Sequence, residues 1–280
     1  MTIPIETNFP KTGIHRHVSR YIASLPDLSG KRVLDIPAGD GRASYEFLKK
    51  GATVLPYDLF PNTFTLKETD AKYADMLSPL PLDNESVDYI VCQEGIEHVP
   101  DPLGLLSEFN RVLKKDGQIL LSTPNQSHLR ARLSWFLFET DYWKRMPPTE
   151  VDSVWFTDKD SERIYYGHLF LLGVHYLGAI SRIRGFELEQ HIRTDFSATS
   201  ILLSLFFWPV LLVSNTLTLF SYGRRNKQVS KTIRNNIFRQ HYALNLSYKT
   251  LLCKHTLVVL KKRLSLEEAT ARLKTLTRTG

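Results

Sequence analysis

Chemistry-bearing residues recur where the apolar runs of this chain end. The first run, Val33-Leu34-Asp35-Ile36, breaks into Pro37-Ala38-Gly39-Asp40-Gly41-Arg42, a strand pattern passing through a glycine turn into a helical pattern. Gly39 and Gly41 let a backbone approach a ligand closely. Pro37 fixes a φ that a chain leaving a strand accepts, and it biases Ile36 towards extended geometry. A dinucleotide fits this turn poorly, because Ser44 stands where the third glycine of GxGxxG belongs and Asp40 would face a pyrophosphate. Carboxylates follow at later run ends. Asp58 lies 23 residues after Asp35, where an acidic residue can accept hydrogen bonds from both hydroxyls of a ribose. Asp75-Met76 closes the third run, and Cys92-Gln93-Glu94-Gly95-Ile96-Glu97-His98 closes the fourth. Taken singly, each Asp reads equally well as a turn or helix cap. Three in series at run ends point to one crevice.

The elements that must position these groups alternate between short apolar runs and amphipathic helices, the pattern of βα units around a parallel sheet. Strands are predicted at 32–36, 53–57, 72–75, 87–92 and 118–123, with helices at 14–25, 42–50 and 103–115, the last two ended by Gly51 and by Asp116-Gly117. A helix at 168–184 meets Gly185, and a strand follows at 186–192. The stretch 125–166 is polar and aromatic-rich and is read as a substrate insert. A β-branched run at 255–260 is a seventh strand, expected to pair antiparallel with 186–192, and 265–277 has the spacing of a short amphipathic helix.

The motif around Asp35 resembles motif I of the class I S-adenosylmethionine-dependent methyltransferases, with Pro37 in place of the first glycine. The segments 82–88, 92–102 and 113–117 and the strand end Thr123-Pro124-Asn125 are similar to the small-molecule branch that includes the ubiquinone-biosynthesis methyltransferases. The resemblance covers about 31–192 and resumes at 255–262. It implies a Rossmann-like, mostly parallel seven-stranded α/β sheet with helices on both faces. It also implies S-adenosylmethionine as cofactor, held by Asp35, Pro37, Gly39, Gly41, Asp58, Asp75, Met76 and Gln93, with Asp75 at the adenine amino group and Met76 on the ring. Methyl transfer from a sulfonium is an in-line displacement that positioning can accelerate. A hydroxyl acceptor benefits from a base, and His98, oriented or charge-tuned by Glu94 and Glu97, is the candidate. His98 reads alternatively as a cap or loop tether; His128 and His168 are weaker candidates. The fourth run lacks the Asn/Asp-Pro-Pro-aromatic turn used on planar amines, and the chain has no Pro-Cys nucleophile, so nucleic-acid base methylation is disfavoured.

Composition supports an ordinary globular chain: 280 residues, 42% hydrophobic and 23% charged. With Cys92 and Cys253 the only cysteines, neither a disulfide framework nor a zinc cluster is expected, and a reducing compartment fits. The residues 1–11 carry no apolar run, so a cytoplasmic location is expected. Charge is split. Residues 1–197 hold 22 Lys+Arg against 27 Asp+Glu, whereas 198–280 hold 14 against 2. Such an asymmetry suits a polyanionic neighbour, either an anionic membrane surface or nucleic acid.

Within that basic third, 198–222 is 25 residues without a charge, long enough to span a bilayer as one helix. Pro209 is expected to divide it into two halves that lie as a shallow hairpin or as a pair of interfacial helices, since the strand at 255–260 must return to the sheet. The basic residues Arg224, Arg225, Lys227, Lys231, Arg234 and Arg239 follow it on the cytoplasmic side. A buried helix pair or dimer interface is the alternative. The resulting organisation is a methyltransferase domain at 1–197, a membrane-associating insertion at 198–254, and the last strand and helix at 255–280. The function expected is O-methylation of a small or lipid-linked acceptor at the inner face of a membrane. The alternatives are a catalytically silent scaffold of the same fold and an RNA methyltransferase using the basic tail.

Overall fold

The computed structural model describes residues 9, 12–140, 147–157, 163–225 and 230–276. Its strands are β1 (Arg32–Asp35), β2 (Thr53–Asp58), β3 (Lys72–Tyr73), β4 (Val87–Gln93), β5 (Leu113–Pro124), β6 (Val154–Thr157), β7 (Ile164–Tyr166), β8 (Phe186–Ile192) and β9 (His255–Lys262). Its helices are α1 (Gly13–Ser24), α2 (Arg42–Leu48), α3 (Pro102–Val112), α4 (Leu129–Phe138), α5 (Glu150–Ser153), α6 (Val174–Ile183), α7 (Ala198–Arg225), α8 (Lys231–Leu246), α9 (Tyr248–Leu252) and α10 (Leu266–Leu276). Seven strands form one sheet in the order β3-β2-β1-β4-β5-β9-β8, while β6 and β7 form a separate hairpin. The first five sheet strands are parallel, and β9 runs antiparallel to both β5 and β8.

The period of two along each strand builds two cores. Leu34, Ile90, Cys92, Ile119, Leu121, Val258 and Leu260 face α3 and α6 through Leu105, Phe109 and Leu177. The intervening Val33, Val91, Leu120, Leu257 and Val259 face α1 and α2 through Ile14, Val18, Ile22 and Phe47. Every hydrophobic position of the central strands is thereby used, so polar side chains are left for the strand ends.

Several elements depart from the sequence pattern. Helix α3 stops at Val112 rather than 115, because Val112 and Leu113 are both fully buried and Leu113 already pairs with Val87 at the start of β5. Asp116, at φ +61°, and Gly117 then sit in an irregular crossing before the register resumes at Tyr89 and Gln118. The third strand ends at Tyr73, since the Asp75 carboxylate accepts the Leu77 N–H and turns the chain. Helix α6 starts at Val174 instead of 168; the residues before it run past the site, with the Phe170 N–H donating to the Glu97 carbonyl. The expected helix at 265–277 is α10, of which Thr277 lies outside the described residues, as do 1–8, 10, 11 and Lys227.

The largest difference is at Pro209, which does not divide the apolar run. Helix α7 is continuous through it, and the antiparallel partner that brings the chain back is α8. Around the proline, Ser204, Ser214, Asn215, Thr216 and Thr218 donate to carbonyls three or four residues earlier, so polar side chains stay within the helix's own hydrogen-bond system.

The far end of the sheet is tied by a buried polar knot. Lys262 Nζ donates to the carbonyls of Asn110 at 2.8 Å and Leu113 at 2.7 Å and reaches Glu85 at 3.0 Å. The Asn110 amide donates to the carbonyls of Arg184 and Leu264. Lysine is retained here because two carbonyls at the end of α3 would otherwise be buried without donors. Lys262→Met is expected to lower unfolding stability by about 2 kcal/mol, measured by urea denaturation. An unchanged midpoint would show that water reaches these carbonyls.

Candidate active site

The carboxyl ends of β1, β2 and β4 open into one cavity of about 470 Å³. Asp35, the last residue of β1, is buried there; its Oδ2 accepts from Ser44 Oγ at 2.6 Å, and its Oδ1 has no partner among the described residues. Burial pushes its carboxyl up to about 8, with the hydrogen bonds from Ser44 pulling the other way and the charges of Asp58 and Asp40 adding to the rise. Asp58 ends β2, where Oδ2 accepts the Gly39 N–H at 2.8 Å and Oδ1 accepts the Phe60 N–H at 2.7 Å. Each oxygen keeps a further lone pair. The first of these bonds also holds the turn: Gly39 sits at φ +53°, with no atom within 4 Å of where a Cβ would project.

The predicted cofactor residues are not all equivalent. Pro37, Gly39, Met76 and Gln93 line the cavity with Asp35, Asp58 and Asp75. Gly41 stands behind the lining; at φ +94° it begins α2, and a Cβ there would lie 2.9 Å from the Phe64 ring. Pro37 is held by Gly95, whose absent Cβ would fall 2.5 Å from the Pro37 Cδ. Asp75 is already engaged from outside the core motif: Oδ2 accepts from the Arg163 guanidinium and from Tyr165 Oη at 3.2 Å.

His98 ends a short 3-10 turn, Ile96–His98, immediately after β4. Its Nδ1 lies 2.8 Å from the Tyr166 carbonyl oxygen. A carbonyl can only accept, so the neutral ring carries its proton on Nδ1 and its lone pair on Nε2. The ring stacks on Trp155 at 5.3 Å and meets His168 edge-on at 4.9 Å.

Orientation of His98 by Glu94 or Glu97 does not occur. Glu94, at φ +50°, accepts from Ser122 Oγ at 2.8 Å and lies 3.7 Å from His255 Nε2. Glu97 Oε2 accepts from Thr123 Oγ1 at 3.0 Å, and its Oε1, fully buried, has no partner among the described residues. Burial raises both carboxyls, with the Ser122 hydrogen bond opposing the rise at Glu94 and the charge of Glu94 adding to it at Glu97. Donor atoms of Glu97, His98 and His168 lie within 4.8 Å of one another, close enough to hold a cation, although the cysteine spacing suggested no metal. His128 is a helix cap, its Nδ1 accepting the Ala131 N–H at the start of α4.

The residues that sequence reading missed come from the β6–β7 hairpin. Trp155, Tyr165 and Tyr166 line the cavity, Phe156 stacks on Tyr165 at 4.5 Å, and Phe60 meets Trp155 at 5.7 Å. The alternation of aromatic and β-branched types in Val154-Trp155-Phe156-Thr157 and Ile164-Tyr165-Tyr166 was the available signal.

A family model described as "Methyltransferase domain" matches residues 12–191. A ubiquinone biosynthesis O-methyltransferase of Xanthomonas oryzae pv. oryzae (strain PXO99A) is 31% identical over 116 residues, covering 38% of this chain and 48% of that protein. One of the same name from Pseudomonas entomophila (strain L48) is 27% identical over 174 residues, covering 59% and 68%. The chain thus spans about half the length of the first of these relatives. Among solved structures, the YcgJ protein of Bacillus subtilis superposes with a TM-score of 0.51 at 15% identity, covering 90% of this chain and all of the other. A protein of Listeria monocytogenes described as an S-adenosylmethionine-dependent methyltransferase superposes with a TM-score of 0.51 at 13% identity, covering 89% and 97%. The likeness to these structures is one of fold.

The raised carboxyl of Asp35 has a measurable consequence. Above about pH 4 the unfolded chain releases this proton while the folded, ligand-free protein keeps it. Stability is therefore lost progressively from about pH 4 up to the folded value of about 8, and is level above it. Asp35→Asn, which preserves an acceptor for Ser44, should flatten that part of the profile in urea titrations. An equal slope in the two proteins would place the proton elsewhere.

Proposed function

The chain belongs to the class I S-adenosylmethionine-dependent methyltransferases, and from that premise we propose that it methylates a hydroxyl of a small or lipid-linked acceptor at a membrane surface. The observation that carries the acceptor chemistry is the Nδ1-to-Tyr166 hydrogen bond of His98, which leaves Nε2 as a fixed proton acceptor in the same cavity as the strand-end carboxylates.

The residues present fit S-adenosylmethionine. Asp35 offers a buried carboxylate oxygen without a partner, suited to the ligand's ammonium group, and Asp58 offers lone pairs suited to its ribose diol. Asp75 and Met76 stand where the adenine is expected, and Gln93 lines the same wall. When bound, the cofactor supplies a methyl group already activated by a sulfonium, so the enzyme needs no nucleophile of its own. The chain's work is then positioning and proton transfer. Gly39 brings the backbone close, Trp155 and Phe60 shield the mouth, and His98 Nε2 accepts the hydroxyl proton as the acceptor oxygen attacks. The Tyr166 carbonyl stabilises the imidazolium so formed.

The membrane part of the proposal rests on α7. Its stretch Ala198–Thr218 contains an 18-residue window of mean hydropathy 1.8 with no buried residue, so by length and composition it is apolar enough to cross a bilayer. Helix α8, which follows it, carries Lys231, Arg234 and Arg239 and is not apolar enough to cross back. Because β9 must re-enter the sheet between β5 and β8, entry and exit on one side, with α7 lying in the interface, satisfies the connection. The basic residues of the last third suit anionic headgroups.

Purified protein incubated with labelled S-adenosylmethionine and a membrane extract is expected to yield a labelled, base-stable ether. His98→Gln should lower turnover by roughly 10²-fold with cofactor affinity retained, and Asp58→Asn should weaken cofactor binding by about tenfold. Full turnover in His98→Gln would reduce the mechanism to positioning. Separately, replacing the interior of 198–222 by a short polar loop should move the protein to the soluble fraction with cofactor binding intact. Persistence in the membrane fraction would sink the assignment of α7 as the anchor.

A further inference from the structure

A second cavity, of about 440 Å³, lies apart from the methyl-transfer site, between α4 and the start of α6. Its walls include Gln126, Ser127, Arg132, Trp135, His175 and Tyr176. Arg132 is half-buried, and its only described partners are neutral: Nε donates to the Ser127 carbonyl at 2.7 Å and Nη2 to Asn245 Oδ1 at 2.8 Å. Asn245 is committed in turn, donating to Asn215 Oδ1 at 2.6 Å. The guanidinium has more N–H groups than these two bonds use, and among the described residues no carboxylate pairs with it. A fixed charge held away from water without a counter-ion is costly.

Its neighbours are a pair of histidines. His175 Nδ1 lies 3.1 Å from His241 Nδ1, with the rings stacked at 5.2 Å. Burial holds His175 below its ordinary value; His241 and the charges of Arg132 and Arg182 push the same way, and a hydrogen bond with Asn245 opposes them. Arg182, two turns further along α6, acts similarly on His241 after burial. The site thus sets the spare N–H groups of Arg132 beside a histidine pair, with no anion among the described residues.

The surroundings say what kind of anion. Trp135 donates its Nε1 to Gln126 at the cavity and leaves its ring 48% exposed, and the next residue, Phe136, is 84% exposed. Helix α4 packs on α7, whose Leu205 and Phe206 are about as open to solvent. A polar pocket holding the Arg132 charge therefore stands beside exposed apolar side chains on two packed helices, the arrangement that matches an amphiphile with a phosphate head.

We propose that this cavity is a phosphate-binding site for an amphiphile, with Arg132 as the principal ligand, His175 and His241 beside it, and the apolar chain of the ligand lying along α4 and α7. The source of the phosphate as a membrane lipid or lipid-linked acceptor rests on the membrane-surface reading above. The donor set itself does not. Gly173, at this cavity, follows His168, whose ring meets that of His98, by five residues in the chain.

The test titrates the intact protein calorimetrically with dihexanoyl phosphatidic acid below its micellar concentration, with inorganic phosphate, and with dihexanoyl phosphatidylcholine. Saturable binding of the phosphatidic acid, at least several-fold tighter than of the other two, is expected. Arg132→Gln should weaken it by about tenfold or more while S-adenosylmethionine binding is unchanged. Because Arg132 also braces Ser127 and Asn245, His175→Asn is run alongside with thermal unfolding of all three proteins; it should weaken the phosphatidic acid without lowering the melting point. Unaltered binding in both variants overturns the site, and equal affinity for inorganic phosphate overturns the amphiphile. Vesicles of phosphatidylcholine containing phosphatidic acid separate the two proposals: short-chain binding without vesicle binding would leave this site standing and reject the membrane-surface reading.

Discussion

A parallel sheet covered on both faces has no room for chemistry along its strands, and this constraint organises the molecule. Leu34 and Val33, Ile90 and Val91, and Ile119 and Leu120 alternate between two apolar cores, so the first residues free to be polar are those at the strand ends. There the same carboxylates both build and receive. Asp58 takes the Gly39 and Phe60 N–H groups and thereby fixes the turn that bounds its own cavity. Gly95, pressed against Pro37, carries this rigidity from the first strand to the fourth. The ligand crevice is thus held in part by the Asp58 carboxylate itself, whose remaining lone pairs are left for recognition.

The parts of the site that the sequence revealed are those where one residue type has one use. A glycine at φ +53° and carboxylates closing apolar runs leave few readings. The strand at 255–262 was legible for the same reason, as a β-branched run bounded by polar residues. What remained hidden depended on distant partners. Nothing near His98 in the chain announces that its Nδ1 will meet the Tyr166 carbonyl, 68 residues on. The adjacent glutamates were the obvious local candidates, yet Ser122 and Thr123 of the neighbouring strand claim them. The β6–β7 hairpin could be suspected from its aromatic alternation, but not its docking over Asp75, which requires Arg163 and Tyr165 to arrive across the sheet end.

Pro209 shows the limit of punctuation rules. In water, proline within a helix costs about 3 kcal/mol and usually ends or bends it. Helix α7 nevertheless continues through Pro209 without a break. The polar side chains that do occur there, such as Ser214 and Thr218, bond to their own helix. Polar links tie α7 to α4 at two places: Ser200 accepts the Arg130 N–H, and Asn215 is joined through Asn245 of α8 to Arg132.

The position of β9 bears on how the chain assembles. Gln118 pairs with Lys261 and Leu188 with Leu260, so a strand made later lies between two made earlier. Until it arrives, β5 and β8 present bare backbone edges, and the apolar helix α7 has already left the ribosome. The entropic cost of closing so long a loop grows only slowly with its length, but the time during which both edges stay open does not shrink. A nascent chain of this design is exposed to aggregation for longest when its most apolar segment is also uncovered. Delivery of that segment to a lipid surface during translation would shelter it and hold the two waiting edges near the place where the last strand emerges.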